Sequence, residues 1–473
     1  MFIDLVDDKP KEECGIVGIC STTENVAFLT YLGLFALQHR GQESAGIILG
    51  NGKQVEIKRG MGLVTDVFRD GLPVLDDAQF AIGHVRYSTT GANLPINVQP
   101  LKVHFAGGNL SVSHNGNLTN AKTLRDKLAD EGAIFQTSVD TEVIITLIAR
   151  SRAKTIEEKI AEAMSSLSGA FSVVVMTDDK MFVARDSFGY RPLCIGKMDN
   201  NTYVACSESC ALDAMGAEFV RDVLPGEILV FEPNKEDFVS YCFKKPNHQP
   251  AHCVFEYIYF ARVDSVIDKQ CVYSSRVAMG RQLARETAHL KADIVVSVPD
   301  SGTPAAIGYG LESKVPFLEG LIKNRYMGRT FIQPEQKQRA NSVRMKLSVV
   351  KSLVEGKRVV MVDDSIVRGT TSGKIVKLLK DAGAKEVHMC VSSPPVTDPC
   401  YYGIDTAVRK ELIATTHTVE EIRNYIGADS LHYISMDGLK QCFENINPNN
   451  MCYACFNGKY PEETDCNDKS VFE

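Results

Sequence analysis

The feature that most constrains the fold is a set of Val-rich apolar segments, each followed by a helical pattern, in the C-terminal half of the chain. They read DIVVSVPDSG (293–302), KRVVMVDD (357–364) and EVHMCVSSPP (386–395). Continuous apolar strands of this kind are typical of a parallel sheet that is covered on both faces. Ligands of such sheets bind at the carboxyl ends of the strands, so the loops that follow them are the first places to look for function.

One of these loops carries two adjacent carboxylates and then a Gly-Thr-Thr turn that leads into a helix, in the segment VVMVDDSIVRGTTS. Asp363 and Asp364 suit ribose hydroxyls and a hard cation such as Mg²⁺. The hydroxyls of Thr370 and Thr371, with backbone amides at a helix N-terminus, suit a phosphate. The alternative is an acidic strand end followed by an ordinary helix cap.

A second strand-to-turn segment, VVSVPDSGTPAA (295–306), places Asp300, Ser301 and Gly302 where they could bind pyrophosphate and its metal. Between the two loops, residues 323–346 contain seven basic residues against one acid, Glu335. A basic run is usually a solvated surface. Here its position between the loops favours a site for a pyrophosphate leaving group. The seven are Lys323, Arg325, Arg329, Lys337, Arg339, Arg344 and Lys346.

From Val359 to Thr371 the chain resembles the signature of type I phosphoribosyltransferases, whose donor is phosphoribosyl pyrophosphate. The resemblance implies that the basic segment is a flexible loop that closes over the donor. It also implies magnesium bound by Ser301, Asp363 and Asp364, and it adds further residues to the donor site. These are Ser365, Arg368 and Gly369, beside Thr370 and Thr371.

The N-terminal half has a different pattern, with short apolar runs separated by Gly, Asn and Asp turns and with helical patterns near 118–130 and 140–165. This indicates a mixed α/β unit with much antiparallel sheet. Cys14 precedes an apolar strand, where a free packing thiol is the commoner case. HVRYSTTG (84–91), SHNGNLTN (113–120) and SVDTE (138–142) follow it. With RDSFGYRPL (185–193) and CSESCALD (206–213), they resemble the glutamine amidotransferases of the N-terminal nucleophile class.

That resemblance implies that Cys14 attacks the glutamine carboxamide after residues 1–13 are removed, with its freed α-amino group as the base. Arg86 and Asp140 are implied to bind the α-carboxylate and α-amino group of glutamine, and Asn115 with the Gly116 amide to form the oxyanion hole. Other interpretations stay open for each motif. His84 and Arg86 suit a surface pair, HNGN is a good turn sequence, and Asp140 could cap the helix near Thr141.

Four of the fourteen cysteines form a separate group: Cys452 and Cys455 in a C-x-x-C pair, and Cys253 and Cys400 in polar or turn contexts. Spacing alone allows zinc, an iron-sulfur cluster or a redox dithiol. The contexts resemble the iron-sulfur branch of the amidophosphoribosyltransferases, which implies a structural 4Fe-4S cluster on these four thiolates and a hypothetical loss of stability on oxidation. The other cysteines are assigned to packing or the surface, at positions 20, 194, 206, 210, 242, 271, 390, 442 and 466.

This resemblance covers residues 14–460 and predicts an αββα N-terminal nucleophile glutaminase followed by a type I phosphoribosyltransferase. The expected units are a propeptide (1–13), a glutaminase domain (14–245), a phosphoribosyltransferase domain (246–440) and a tail (441–473) that carries cluster ligands without forming a core. The implied enzyme is a pentosyltransferase that makes 5-phosphoribosylamine, the first step of purine synthesis. Purine nucleotide inhibition and a homotetramer follow by analogy. The alternatives are an aminosugar synthase and a non-enzymatic nucleotide sensor.

Charge and hydropathy exclude several classes of function. The net charge is -7, which argues against a nucleic-acid surface. No apolar run approaches the roughly 20 residues that span a bilayer. The acidic N-terminus MFIDLVDDKPKEE does not read as a secretory signal. We therefore expect a cytoplasmic enzyme with no membrane or nucleic-acid partner.

Overall fold

The computed structural model of the chain describes residues 14–87, 93–244, 248–324, 347–404 and 409–462. The leader 1–13, Ser88–Gly91 of the HVRYSTTG motif, Cys466 and six of the seven basic residues of segment 323–346 lie outside these ranges. We refer to residues 14–244 as the N-terminal half and to residues 248–462 as the C-terminal half.

The N-terminal half contains thirteen strands among its described residues. They are β1 (Gly15–Cys20), β2 (Ser44–Gly50), β3 (Val55–Met61), β4 (Phe80–Arg86), β5 (Leu101–Phe105), β6 (Gly108–Leu118), β7 (Gly169–Met176), β8 (Met181–Arg185), β9 (Cys194–Lys197), β10 (Tyr203–Cys206), β11 (Glu218–Asp222), β12 (Glu227–Phe231) and β13 (Val239–Cys242). Two antiparallel sheets result, in the orders β11-β9-β10-β1-β4-β2-β3 and β13-β12-β8-β7-β6-β5. β1 is therefore the central strand of its sheet.

The two sheets face each other across an apolar layer in which Ile16 and Ile82 of one sheet pack with Val174 and Leu229 of the other. Helices cover the outer faces of both sheets, since Val26–Ala36 packs on the first and Thr141–Arg150 on the second. This is the expected αββα arrangement. The helices of this half are Val26–Ala36, Val64–Val67, Pro95–Asn97 (3₁₀), Ala121–Asp130, Thr141–Arg150, Ile156–Ser166 and Ser209–Met215.

The C-terminal half is built on a four-stranded parallel sheet of β17 (Ile294–Ser297), β20 (Arg358–Asp363), β21 (Glu386–Val391) and β22 (Ser430–Tyr433), in that order. Three short strand pairs accompany it. They are β14 (His252–Cys253) with β23 (Met451–Cys452), β15 (Val266–Ile267) with β16 (Gln270–Cys271), and β18 (Leu321–Lys323) with β19 (Leu347–Val349).

Helices lie on both faces of the parallel sheet, as the Val-rich strands predict, and each face has its own apolar cluster. The helices are Glu256–Phe260 (a π-helix), Val272–Glu286, Thr303–Ser313, Lys351–Val354, Thr370–Asp381, Arg409–Glu411 (3₁₀), Ile413–Thr416, Val419–Ile426, Met436–Lys440, Pro448–Asn450 (3₁₀) and Ala454–Asn457. The carboxyl ends of β17 and β20 adjoin, so the two loops with the predicted donor residues lie side by side.

The tail corrects one expectation. Residues after 440 were predicted to wrap the surface without forming a core, but Phe443, Ile446, Met451 and Phe456 are buried in the main apolar cluster of the C-terminal half. The polar Glu and Asn residues between them hid this apolar spacing. Within its described part, the tail is a structural component of this half.

Candidate active sites

Cys14 lies immediately before the central strand β1 and is buried. Its Sγ donates to the carbonyl of Tyr87 at 3.5 Å, and its own carbonyl accepts a hydrogen bond from Arg40 Nε at 3.2 Å. The main chain next to it is held as well, because Ile16 N donates to Ser207 Oγ at 3.0 Å. A nucleophile fixed at both its side chain and its main chain is pre-organised for attack.

Asn115 and Gly116 lie within the long strand β6, where they pair with Ser172 and Phe171 of β7, so the interpretation of HNGN as a turn is wrong. Asn115 is fully buried and its Nδ2 donates to Ser207 Oγ at 3.4 Å, the same hydroxyl that holds the strand after Cys14. Asn115 Oδ1 has no hydrogen-bond partner among the described residues. Ser207 thus joins the candidate nucleophile to the candidate oxyanion residue.

Gly116 has a backbone requirement of its own. Its φ is 146°, in the region that favours glycine, and a Cβ placed there would lie 2.1 Å from the carbonyl oxygen of Ala170. A side chain would therefore force β6 and β7 apart.

Arg86 ends β4 and is buried, as is His84 two residues earlier, so the interpretation of these two as a surface pair is wrong. His84 Nε2 lies 3.0 Å from the carbonyl of His114, and because a carbonyl only accepts, this nitrogen carries the hydrogen. Burial lowers the pKa of His84 to about 3, which keeps the ring neutral. The contact ties the strand of Arg86 to the strand of Asn115.

Asp140 is buried at the start of the helix Thr141–Arg150. Its Oδ1 lies 3.3 Å from His114 Nδ1, and its Oδ2 accepts from Leu118 N at 3.1 Å. Burial alone would raise the pKa of Asp140, but His114 and the neighbouring N–H groups outweigh it and lower that pKa. The carboxylate is thus ionised and oriented, as a group that binds an ammonium must be.

The second site lies at the carboxyl ends of β17 and β20. Asp363 and Asp364 are almost fully buried; Asp364 N donates to Asp363 Oδ1 at 2.9 Å and Ser365 Oγ donates to Asp364 Oδ1 at 2.7 Å. Ser392 of the next loop donates its N–H to the carbonyl of Asp363 at 2.9 Å. Burial of two adjacent carboxylates is costly unless cations offset their charge. This argues against a merely solvated acidic strand end.

Gly302 brings the two donor loops into contact. A Cβ there would lie 2.8 Å from the carbonyl oxygen of Val362 and 3.3 Å from Asp363 Cα. Asp300 is exposed beside it and pairs with Lys323 Nζ at 2.7 Å; Lys323 is the one basic residue of segment 323–346 that the structure describes. Six residues after Asp363, Gly369 has φ 78° and leads into the helix Thr370–Asp381 that carries both threonines.

Arg368, also predicted to bind the donor, is partly exposed and pairs with Glu411, with Nη2 and Oε2 2.7 Å apart. The described residues that were predicted to bind the donor therefore lie in the loops at the carboxyl ends of β17 and β20.

The four cysteines assigned to a cluster lie close together at the junction of the tail with the rest of the chain. Cys253 and Cys452 are paired residues of β14 and β23. The N–H groups of Thr397 and Asp398 donate to the carbonyl of Cys455 at 2.9 and 3.1 Å, which brings the segment containing Cys400 alongside. Burial raises the pKa of Cys455, and the thiols of Cys452, Cys253 and Cys400 raise it further.

Four thiols therefore lie together at this junction. Within the described residues, no group of three or more His, Cys, Asp or Glu side chains is arranged to hold one metal ion. A 4Fe-4S cluster has a different requirement, because each of its four thiolates binds a separate iron atom. Magnesium is also compatible, since it commonly uses only one or two carboxylates together with substrate phosphates.

The other described cysteines lie in the core or at the surface, which agrees with their assignment to packing or surface positions. Those at 20, 194, 206, 210, 390 and 442 are buried, Cys271 is half-buried and Cys242 is exposed. None of the helices in the described part of the chain has both the length and the apolar character needed to cross a bilayer.

The fold and the two sites define a glutamine amidotransferase joined to a phosphoribosyltransferase. Family models support both parts: a glutamine amidotransferase domain matches residues 84–214 and a phosphoribosyl transferase domain matches residues 279–415. An Archaeoglobus fulgidus amidophosphoribosyltransferase is 50% identical over 96% of this chain and 100% of its own length. An Arabidopsis thaliana protein, amidophosphoribosyltransferase 1, chloroplastic, is 49% identical over 96% of this chain and 80% of its own length.

The structure of the glutamine phosphoribosylpyrophosphate amidotransferase from B. subtilis, complexed with ADP and GMP, superimposes with a TM-score of 0.89. It is 49% identical and covers 96% of this chain and 98% of that one. The chain belongs to the amidophosphoribosyltransferases, the enzymes that transfer the amide nitrogen of glutamine to phosphoribosyl pyrophosphate in the first step of purine biosynthesis. The predicted family, fold and reaction are confirmed, in preference to an aminosugar synthase or a non-enzymatic sensor.

Sequence reasoning missed several residues of the glutamine site, among them Arg40, His114 and Ser207. Arg40 lies in the apolar context LGLFALQHRG. This context was the available signal of a buried ion pair. An arginine that follows a helix as apolar as Val26–Ala36 is expected to be buried with it, and arginine is almost never fully buried unless it is paired.

Proposed function

We propose that Cys14 is the nucleophile of the glutamine half-reaction and that residues 1–13 are a propeptide whose removal frees its α-amino group. The observation that best supports this is the shared hydroxyl of Ser207, which joins the strand after Cys14 to Asn115. The thiolate attacks the side-chain carbonyl carbon of glutamine. Asn115 Nδ2 and the Gly116 amide stabilise the oxyanion.

The α-amine accepts the thiol proton and returns it to the departing ammonia. Water then hydrolyses the glutamyl thioester to glutamate and regenerates the thiol. Arg86 and Asp140 hold the α-carboxylate and α-amino group of glutamine, and the low pKa of Asp140 keeps that carboxylate charged for this role.

We propose for the second half-reaction that Asp300, Ser301 and Gly302 bind the pyrophosphate of the donor. Asp363 and Asp364 bind the ribose hydroxyls, and the turn that follows binds the 5-phosphate through Ser365, Arg368, Gly369, Thr370 and Thr371. Ser301, Asp363 and Asp364 would hold Mg²⁺, which would offset the charge of the pyrophosphate. Ammonia attacks C1 of the ribose, the C1–O bond breaks, and its electron pair leaves with pyrophosphate. The nitrogen then loses one proton to the departing pyrophosphate or to water, which gives 5-phosphoribosylamine. An internal route for ammonia avoids its protonation and loss to solvent.

We infer further that Cys253, Cys400, Cys452 and Cys455 hold a 4Fe-4S cluster with a structural role, because the donor set is all thiolate and joins the tail to its neighbours. Domain boundaries at 245/246 and 440/441 remain part of the proposal. So does regulation by purine nucleotides, supported by the ADP and GMP in the B. subtilis structure. A homotetramer and a cytoplasmic location are predictions too, and one relative is named as chloroplastic.

The experiment that tests this function uses anaerobically purified protein whose N-terminus has been shown to be Cys14. Glutamate, pyrophosphate and 5-phosphoribosylamine are measured with glutamine or with ammonium as the nitrogen source, with and without Mg²⁺. Wild type should release glutamate in step with pyrophosphate. Cys14→Ser should lose the glutamine reaction and keep the ammonium reaction. Loss of both reactions would contradict the division into two sites, and unchanged glutamine use would exclude Cys14 as the nucleophile.

A further inference from the structure

Four charged side chains form a buried network between the two halves of the chain: Arg40, Arg191 and Glu208 of the N-terminal half and Glu256 of the C-terminal half. Each is at most 1% exposed. Arg40 Nη1 donates to Glu208 Oε1 at 2.6 Å and to Glu256 Oε2 at 3.0 Å, and its Nη2 donates to Glu256 Oε1 at 2.7 Å. Two cations and two anions cancel in charge, which is the condition under which such groups tolerate burial.

The network reaches the candidate nucleophile directly. The remaining nitrogen of the Arg40 fork, Nε, donates to the carbonyl of Cys14 at 3.2 Å. Because the guanidinium is planar and rigid, the carboxylates that fix its Nη atoms also fix the direction of its Nε–H bond. The position of the Cys14 main chain is therefore tied to that of the Glu256 carboxylate.

Glu256 belongs to an element that the C-terminal half holds firmly. It opens the π-helix Glu256–Phe260, and Arg276 of the helix Val272–Glu286 donates to the carbonyls of Tyr257 at 2.9 Å and Ala261 at 2.8 Å. Arg276 is itself buried. The main chain that carries Glu256 is thus held by the phosphoribosyltransferase half.

A second arginine braces the same carboxylate. Arg191 Nη1 donates to Glu256 Oε1 at 3.3 Å, while its Nε and Nη2 donate to the carbonyl of Tyr402 at 3.0 and 2.8 Å. Both oxygens of Glu256 are therefore engaged, and its orientation is determined from two directions.

We propose that Glu256 is a positioning residue for glutamine hydrolysis. Through Arg40, this residue of the phosphoribosyltransferase half fixes the position of the Cys14 main chain. This inference rests on the proposed role of Cys14 as nucleophile. Glu256 touches no reacting atom. Its loss therefore lowers the rate of the chemical step and leaves glutamine binding by Arg86 and Asp140 in place.

The test compares Glu256→Gln with a matched control, Asp268→Asn. Asp268 forms the same kind of contact between the halves, since Arg185 donates to its two oxygens at 2.8 and 2.9 Å, but this pair does not touch Cys14. Asp268 has φ 47°, a conformation that Asn tolerates well. Both variants are measured as processed, anaerobically purified enzymes.

We expect Glu256→Gln to lower kcat for glutamate release by about 10- to 100-fold, the cost of a misplaced reacting group. Its KM for glutamine and its ammonium-dependent transfer should stay within about threefold of wild type, because a group that acts only on the chemical step leaves substrate binding unchanged. Asp268→Asn should keep both activities. Wild-type kcat in Glu256→Gln overturns the inference. So does an equal loss of ammonium-dependent transfer, or an equal loss of glutaminase activity in the control.

Glu256→Gln leaves the network with one excess positive charge, which could prevent folding or processing. The double variant Glu256→Gln/Arg191→Gln restores neutrality, and placing the initiator Met directly before Cys14 leaves only that Met to be removed. The same loss of kcat is expected in that background, and its absence would refute the inference. A wild-type enzyme that releases no glutamate at all would instead refute the proposed function of Cys14.

Discussion

Replacing Gly116 by alanine should be the most damaging single-methyl change in the glutamine site. The new Cβ would lie 2.1 Å from the carbonyl oxygen of Ala170, and φ of 146° is strained for any residue with a side chain. Backbone strain of this kind costs about 1–3 kcal/mol. Overpacking against the neighbouring strand costs a further 1–3 kcal/mol or so. Together they predict a loss of about 2–6 kcal/mol.

Gly132→Ala is the matched control. Gly132 also has a positive φ, 86°, but a Cβ there would meet nothing within 4 Å, so only the backbone strain applies. Thermal unfolding followed by circular dichroism at one scan rate should show the difference. At about 2–4 °C per kcal/mol, Gly116→Ala should lower Tm by between about 4 and 24 °C, and clearly more than Gly132→Ala does.

The same substitution should act on one half-reaction only. Displacement of the Gly116 amide removes a predicted oxyanion donor, so glutamate release should fall by about 100-fold or more. Ammonium-dependent transfer depends on the other half and should persist at temperatures where the protein is folded. Equal Tm losses in the two glycine variants would refute the steric argument. A stable Gly116→Ala with full glutaminase activity would refute the assignment of the oxyanion hole.

Three further predictions concern His84, Asp363 and Cys455. His84→Gln keeps an N–H donor for the His114 carbonyl but does not titrate. Because the folded-state pKa of His84 is depressed to about 3, wild type should lose stability as pH falls below about 6.5, where the unfolded chain binds a proton that the folded protein does not. The variant should lose less stability, as measured by Tm between pH 7 and pH 5. Asp363→Asn should lower Mg²⁺-dependent transfer by about 100-fold with either nitrogen source, and an effect on glutamine alone would argue against a donor-site role. Cys455→Ser should lose iron and visible absorption together with thermal stability, whereas Cys442→Ser should keep its iron; retained iron in Cys455→Ser would exclude it as a ligand.

Local patterns in the sequence predicted much of the fold. Val-rich runs followed by helical periodicity indicated β17, β20 and β21 and their parallel order, because strands buried on both faces need apolar residues throughout. Turn residues between short apolar runs indicated the antiparallel N-terminal half. The motif at 363–371 predicted a loop at a strand end, and the structure has it there.

Other features could not be predicted because they depend on contacts between distant segments. HNGN has the composition of a turn, yet Asn115 and Gly116 lie in mid-strand because β7, more than 50 residues later, pairs with them. The tail is polar in composition, yet its few apolar side chains complete a core made by residues nearly 200 positions away.

The sequence by itself determined which chemistry is available: a cysteine before a strand, adjacent carboxylates at a strand end, four thiols outside the packing set. The first two depend on residue type and on spacing within about ten positions, which the local chain geometry translates directly into structure. The four thiols lie far apart in the chain and were grouped by the resemblance of their sequence contexts. Only the tertiary structure decided how these groups are held. Arg40, Arg191 and Glu256 are separated by up to 216 positions, and nothing in the sequence shows that they become one another's partners. Folding removes water from all three and leaves them to satisfy each other's charge.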